Sequence, residues 1–153
     1  MLLESASKNR VDSIAANIAY VTPDGKNHML HDNEGKYTIL FFNDPDCSDC
    51  ADVKQQLAQS AIITSMHSNN LLRIVGIYTY SDEALWKAGN YPEIIVNGWD
   101  KECAVECGEE YVLRQIPTLY LLDQNNRVIL KDSSFTEILD YLKPVSNSVN
   151  EIH

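Results

Sequence analysis

The sequence predicts an α/β domain with a central mixed β-sheet flanked by helices. Residues 38–42 form an apolar run rich in β-branched and aromatic side chains, which predicts a fully buried strand, and residues 71–78 predict a second one. A helix over about 48–60 joins them as a βαβ unit, so the two strands should be parallel with a right-handed crossover. Hairpin patterns at 18–30 and 119–131 add antiparallel strands.

Size and charge exclude several functional classes. With 153 residues, the chain fits one domain with a core of its own. Its formal net charge of −10 argues against nucleic acid and anionic membranes as partners, because both are bound by clustered Lys and Arg. The chain has no apolar run long enough for a transmembrane helix, and residues 1–4 lack the features of a signal peptide. We expect no nucleic-acid partner and no membrane insertion by this segment.

The chain starts with residues 2–16, whose scattered apolar positions predict a short helix or a loosely held lead-in. Strands are expected at 18–22 and 27–30, joined by a turn at 23–26 that contains proline and glycine. The expected organisation is a lead-in over 1–17, one domain over 18–143 and a C-terminal tail over 144–153.

An insertion follows the βαβ unit. We expect a short helix that Ser81 caps, that has Trp86 on its apolar side and that ends at Gly89. A short strand at 94–96 and a helix over 102–113 complete the insertion.

The C-terminal part predicts strands at 119–122 and 128–131, joined by a turn at 123–126. A last helix over 135–142 has its apolar residues at core spacing. Pro144 should end this helix, because proline lacks the amide hydrogen that an interior position donates.

Two cysteines, Cys47 and Cys50, lie at the junction between the first buried strand and the helix that follows it. That helix is expected to have Val53, Leu57 and Ala61 on one apolar stripe. The unpaired N–H groups of a first helical turn stabilise a thiolate, which is the reactive form of cysteine. Residues three apart in one turn share a face, so the two sulfurs can close into a disulfide. We expect Cys47 to attack a substrate disulfide and the more covered Cys50 to resolve the mixed disulfide.

This C-x-x-C, together with Ile116-Pro117-Thr118 at the start of a later strand, resembles the thioredoxin superfamily. The leading hairpin, the form Pro45-Asp-Cys-x-x-Cys and the insertion look like its extracytoplasmic branch, which includes cytochrome-maturation thioredoxins and secreted Bacteroidetes-type domains. The resemblance covers roughly residues 18–142 and implies a thioredoxin-like three-layer fold. It also implies that Pro117 is a cis-proline facing the cysteines and that the backbone of Ile116 pairs with a substrate strand.

The sequence departs from the family pattern around the cysteines. Asp46 stands where relatives place an aromatic residue, Ser48 and Asp49 replace the Gly-Pro of thioredoxin, and Phe41 falls near the place of its buried carboxylate. Together with Asp44, these acids put negative charge around the thiols, and like charge disfavours a thiolate. We therefore expect Asp46, Ser48 and Asp49 to modulate the site towards a reductase or isomerase rather than an oxidant.

The second cysteine pair, Cys103 and Cys107, has several interpretations. On one helix face the two could form a disulfide after some distortion of the helix, could relay electrons, or could be ordinary thiols, which we favour. A structural zinc site using all four cysteines fits poorly, because the three-residue gap and the long separation between the pairs are not those of a compact zinc ribbon. Trp86 and Trp99 are expected to be packing residues rather than a binding platform.

The function expected from these features is thiol-disulfide exchange on protein disulfides, with an upstream thiol donor resetting the cysteine pair and with no metal or organic cofactor. The expected location is extracytoplasmic, as in a periplasm and with an anchor in a longer precursor as one option, and a membrane thiol carrier would then be the donor. A cytoplasmic location is the alternative. The alternative from another class is a binding module, in which Cys47 and Cys50 form a structural disulfide and Pro117 faces a partner.

Overall fold

In a computed structural model, which describes residues 10–105, 111, 113 and 115–152, the described residues form one seven-stranded mixed sheet. The strands are β1 (Ala19–Val21), β2 (Asn27–Met29), β3 (Tyr37–Asn43), β4 (Leu72–Tyr78), β5 (Ile95–Trp99), β6 (Thr118–Leu122) and β7 (Val128–Ser133). Their order in the sheet is β2-β1-β5-β4-β3-β6-β7. Strand β4 is parallel to β3 and β5, and the other pairings are antiparallel. The predicted βαβ unit, the two hairpins and the mixed sheet are confirmed.

The described helices are α1 (Ser48–Gln59), α2 (Ala61–Ser68), α3 (Glu83–Ala88) and α4 (Phe135–Ile152). Helix α1 matches the prediction, whereas α2 was not predicted. Ser60 separates the two and caps α2, because its hydroxyl accepts a hydrogen bond from the Ile63 amide at 3.3 Å. This change of direction leaves Ala61 exposed, so its predicted place on the α1 stripe is wrong, while Leu57 is buried.

The core forms on both faces of the sheet because side chains alternate along β3. Ile39 and Phe41 point towards the face on which α1, α2 and α4 pack. Leu40 and Phe42 point towards the opposite face, which is covered by residues of the lead-in and of the segment after β5. All four side chains are completely buried, which confirms β3 as the central strand.

The insertion differs from its prediction at two points. Asp82, not Ser81, caps α3, since the Asp82 carboxylate accepts from the Leu85 amide at 3.0 Å. Residues 102–105 form turns instead of the first turn of a helix, and the rest of the predicted 102–113 helix includes 106–110 and 112, which lie outside the described residues. The Asp100 carboxylate accepts from the amides of residues 104 and 105 at 2.8 Å each, and this local bonding competes with a helix.

Helix α4 begins with a reciprocal cap and does not end at Pro144. The Ser134 hydroxyl accepts from the Glu137 amide at 3.1 Å, and the Glu137 carboxylate accepts from the Ser134 amide at 2.9 Å. The helix continues through Pro144 to Ile152, so the predicted stop is wrong. Val145 packs against the helix-side core, which is the cluster around Ile39 and Phe41 on the face covered by α1, α2 and α4. This tertiary contact offsets the loss of one backbone hydrogen bond.

The lead-in lies along the turn between β6 and β7. The Asp12 amide donates to the Val128 carbonyl and the Ala15 amide donates to the Asn126 carbonyl, both at 2.8 Å. Residues 10–16 contain no helix, so over this range the helical alternative is wrong, and residues 2–9 lie outside the described part.

Gly98 in β5 offers a test of the sheet packing. A Cβ at this position would lie 2.8 Å from the Gly76 carbonyl oxygen and 2.9 Å from a ring carbon of Tyr20. Gly98→Ala should therefore lower the free energy of unfolding by about 1–3 kcal/mol, as measured by urea denaturation. Gln56→Ala, at an exposed position of α1, serves as the control and should change it little. An unchanged stability for Gly98→Ala would contradict the close approach of β5 to β4.

Candidate active site

The turn after β3 places Cys47 at the start of α1. The Asp44 carboxylate accepts from the Asp46 amide at 2.9 Å, and the Asp44 carbonyl accepts from the Cys47 amide at 3.1 Å. Cys47 is the N-cap of α1, with extended backbone angles, and its sulfur accepts a hydrogen bond from the Cys50 amide at 3.1 Å. The sulfur therefore takes the capping position that a Ser or Asp oxygen usually occupies.

Cys47 and Cys50 are both free thiols with different environments. Cys47 is partly exposed, whereas Cys50 is completely buried against the helix-side core. Burial is the main cause that raises the pKa of Cys50 to about 12, and the hydrogen bond with Cys47 adds to it. The exposed sulfur is thus the accessible one, and the buried sulfur is held as a thiol.

The loop before β6 faces the cysteines, as predicted. The Ile116–Pro117 peptide bond is cis, and the Ile116 carbonyl oxygen lies 4.0 Å from the Cys47 sulfur. The Thr118 hydroxyl donates to the Gln115 carbonyl at 2.5 Å and so closes the loop on itself. A cavity of about 270 Å³ opens beside Pro117, lined in part by Asp132 and Ser133 of β7.

The acidic residues of the site lie mainly at its surface. Asp46, Ser48 and Asp49 are exposed, and Asp44 is half-buried. Phe41 is completely buried below them, so this position supplies no carboxylate to the thiols.

A buried polar group behind Cys50 was missed by the sequence analysis. Lys54 is only 9% exposed, and its Nζ lies 3.8 Å from the centre of the Tyr91 ring. The Tyr91 hydroxyl in turn donates to the Asn43 side-chain oxygen at the end of β3. One signal was present in the sequence: Lys54 follows Cys50 by four residues, so the two share a helix face.

Cys103, the first residue of the second cysteine pair, does not lie in a helix, contrary to the prediction. Cys103 has a left-handed backbone angle, with φ of 58°, and is disulfide-bonded, so the interpretation as an ordinary thiol is wrong for this residue. Cys107 lies outside the described residues. Trp86 and Trp99 are buried with their ring centres 5.2 Å apart, which confirms them as packing residues.

Metal-binding clusters and membrane-spanning helices are both absent from the described residues. Among them, no group of three or more His, Cys, Asp or Glu is arranged to hold a metal ion. None of the helices in this part of the chain has the length and apolar character needed to cross a membrane.

Comparison with known proteins shows the family of the chain. The family model of the thioredoxin-like domain matches residues 30–143. The chain belongs to this family. The predicted superfamily is thereby confirmed, together with the predicted fold.

Two solved structures from Bacteroides species resemble the chain along most of its length. The C-terminal domain of an uncharacterised protein from Bacteroides fragilis is 35% identical, with a TM-score of 0.84, over 89% of this chain and 99% of that one. A thioredoxin-like protein from Bacteroides caccae is 33% identical, with a TM-score of 0.89, over 92% of this chain and 52% of that one. This chain therefore spans about half the length of the second protein. These relatives confirm the predicted Bacteroidetes-type branch of the thioredoxin superfamily.

A more distant structure shares the thioredoxin-like fold. A thiol:disulfide interchange protein from a Bacteroides species is 19% identical, with a TM-score of 0.71, over 94% of each chain. Identity this low shows the fold alone. A comparison with curated proteins finds no relative of this chain.

The different burial of the two thiols can be tested by alkylation. Iodoacetamide at neutral pH should label Cys47 in the reduced, folded protein and leave Cys50 unmodified, because Cys50 is buried and its pKa is raised to about 12. Mass spectrometry of peptides locates the label. The same treatment in urea should label both thiols, since unfolding removes the burial. Equal labelling of the two in the folded protein would contradict the structure.

Proposed function

We propose that this domain is a thiol-disulfide oxidoreductase that reduces or isomerises protein disulfides. The observation that carries the proposal is the hydrogen bond of 3.1 Å from the Cys50 amide to the Cys47 sulfur at the first turn of α1. This amide and the positive end of the helix dipole favour a negative sulfur at Cys47. A second thiol, Cys50, lies one turn further on in the core.

The proposed reaction has two exchange steps. The Cys47 thiolate attacks one sulfur of a substrate disulfide, which breaks the substrate S–S bond and releases the other sulfur as a thiolate that takes up a proton. Cys50 then attacks the Cys47 sulfur, forms the Cys47–Cys50 disulfide and releases the second substrate thiol. An upstream dithiol returns the two electrons to the domain and is itself oxidised to a disulfide.

The substrate is proposed to bind along the loop of Ile116 and Pro117. The Ile116 carbonyl lies 4.0 Å from the Cys47 sulfur, so a substrate strand that pairs with this backbone would bring its own sulfur close to Cys47. The cavity of about 270 Å³ beside Pro117 can take a side chain that flanks the substrate cysteine.

Asp46, Ser48 and Asp49 are proposed to modulate the site. All three are exposed next to the cysteines, and the two carboxylates oppose a thiolate at Cys47. Since a stabilised thiolate is what makes a dithiol site oxidising, we favour reduction or isomerisation as the direction of the reaction.

The proposed location is extracytoplasmic. A disulfide at Cys103, away from the Cys47–Cys50 pair, supports this, because structural disulfides persist in oxidising compartments. The upstream donor would then be a thiol carrier of the membrane. The division into a lead-in, a domain over 18–143 and a tail remains a prediction.

An insulin-reduction assay with dithiothreitol tests the proposed activity. The wild-type protein should accelerate the precipitation of reduced insulin, and Cys47→Ser should reduce the rate to that of dithiothreitol alone, because the attacking sulfur is lost. Cys50→Ser should accumulate a mixed disulfide, visible by mass spectrometry, since the resolving sulfur is missing. A wild-type rate equal to that of Cys47→Ser would instead favour the binding module with a structural disulfide.

A redox titration against glutathione tests the proposed direction. We expect a potential closer to the value of about −270 mV found for thioredoxin than to the value of about −120 mV found for a strong oxidant. Removing a carboxylate by Asp46→Asn or Asp49→Asn should make the potential less negative, because the Cys47 thiolate then meets less like charge. Glu34→Gln, in the exposed loop before β3 at the other end of that strand, is the matched control. Potentials that do not respond to either Asp change would refute the modulating role.

A further inference from the structure

A buried lysine lies on the helix that carries the cysteines. Lys54 is 9% exposed, although lysine is rarely buried without a paired charge. None of the ion pairs among the described residues involves it. Its side chain is largely removed from water without a carboxylate paired to it, which is an unfavourable arrangement that needs a reason.

The two groups that the ammonium contacts are neutral, and Asp52, which lines the same groove as Lys54, forms no ion pair with it. The Lys54 Nζ lies over the Tyr91 ring, 3.8 Å from the centre, and donates to the Asn90 carbonyl at 3.4 Å. Asn43 holds Tyr91 in place, because its side-chain oxygen accepts from the Tyr91 hydroxyl and its side-chain amide donates to the Phe41 carbonyl at 3.0 Å. These contacts hold the Lys54 ammonium group in place but supply no negative charge to balance it.

An anion can form close by, at Cys50. Lys54 follows Cys50 by one helical turn on the same face, and both side chains are buried. Burial lowers the pKa of Lys54, whereas the charges of the thiols, first Cys50 and then Cys47, raise it. The lysine and the resolving thiol therefore interact electrostatically.

We propose that Lys54 is a positioning residue for the resolving step, in which its ammonium group stabilises the Cys50 thiolate as that thiolate forms and attacks the mixed disulfide. This inference rests on the proposed thiol-disulfide exchange and assigns one of its steps to a residue outside the C-x-x-C.

The resolving step exchanges one S–S bond for another and needs no external oxidant or reductant. The Cys50 thiol loses its proton, which passes to solvent. The thiolate forms a bond to the Cys47 sulfur while the bond from that sulfur to the substrate breaks. The electron pair leaves with the substrate sulfur, which takes up a proton from solvent.

Cys50 needs such help because its surroundings oppose ionisation. With its pKa raised to about 12, Cys50 is almost entirely in the thiol form at pH 7. Cys47 on α1 and Asp44 from the turn after β3 act on the pKa of Cys50. The charge of Cys50 in turn acts on Lys54 on α1 and on Tyr91 from the segment before β5. Lys54 alone among them carries a positive charge, so it is the group that can lower the cost of the thiolate.

Dithiobis(nitrobenzoate), a disulfide whose thiol product is coloured, separates the two steps in stopped-flow experiments. One equivalent reacts with the reduced protein; the first coloured thiol reports attack by Cys47 and the second reports resolution by Cys50. In Lys54→Met, which keeps the length and loses the charge, the second phase should be slower by about tenfold or more between about pH 6 and 9. The first phase should change by less than about threefold, and Lys54→Arg should restore most of the second-phase rate.

The control is Lys87→Met, which makes the same change in net charge at an exposed lysine that pairs with Glu83 at 2.9 Å. It should leave both phases unchanged. A second phase of wild-type rate in Lys54→Met, or an equal slowing of both phases, would overturn the inference. If Lys54→Met does not fold by circular dichroism, Lys54→Gln is compared with Lys54→Arg, and equal second-phase rates in these two overturn it.

The same experiment distinguishes failure of the proposed function from failure of this inference. A wild-type protein that releases no second coloured thiol would refute exchange through Cys47 and Cys50. A wild-type protein that releases both, with Lys54→Met at the same rate, would refute only the role of Lys54.

Discussion

The hydrogen bond from the Cys50 amide to the Cys47 sulfur is the interaction on which the site depends. It forms because β3 ends at Asn43 and the turn that follows directs the chain into α1 with Cys47 as the N-cap. The burial of β3 on both faces fixes where that turn lies, and the packing of α1 on the helix-side core fixes its direction. The central strand thus determines the position of a sulfur at a helix N-terminus, which is where a thiolate is favoured.

Much of this arrangement could be predicted because it follows from local patterns. The apolar runs of β3 and β4 have few alternative structures, and a helix between them leads to a parallel pair. The meeting of Cys47 with Ile116, 69 positions apart, follows from the antiparallel pairing of β3 with β6, in which Phe42 is opposite Thr118. The sequence motif identified the partners, and the register of the two strands explains how they meet.

The wrong predictions have two physical causes, which are packing against distant segments and side-chain bonding to nearby backbone amides. Pro144 costs a helix one hydrogen bond, and the packing of Val145 outweighs that loss. Asp100 binds the amides of residues 104 and 105 and favours turns where composition favours a helix. The burial of Lys54 was not predicted, because it depends on Asn90 and Tyr91, which lie 36 and 37 positions away in the chain.

The charges of the site act on different sulfurs. Asp46 and Asp49 are exposed, so water and salt screen their effect on Cys47 and keep it small. Lys54 is buried, and a charge in a medium of low dielectric constant acts more strongly at the same distance. Of the two thiols, Cys50 affects Lys54 more than Cys47 does. In the proposed reaction, the exposed acids would therefore tune how easily Cys47 is reduced, while the buried cation would lower the barrier for Cys50 without making Cys47 strongly oxidising.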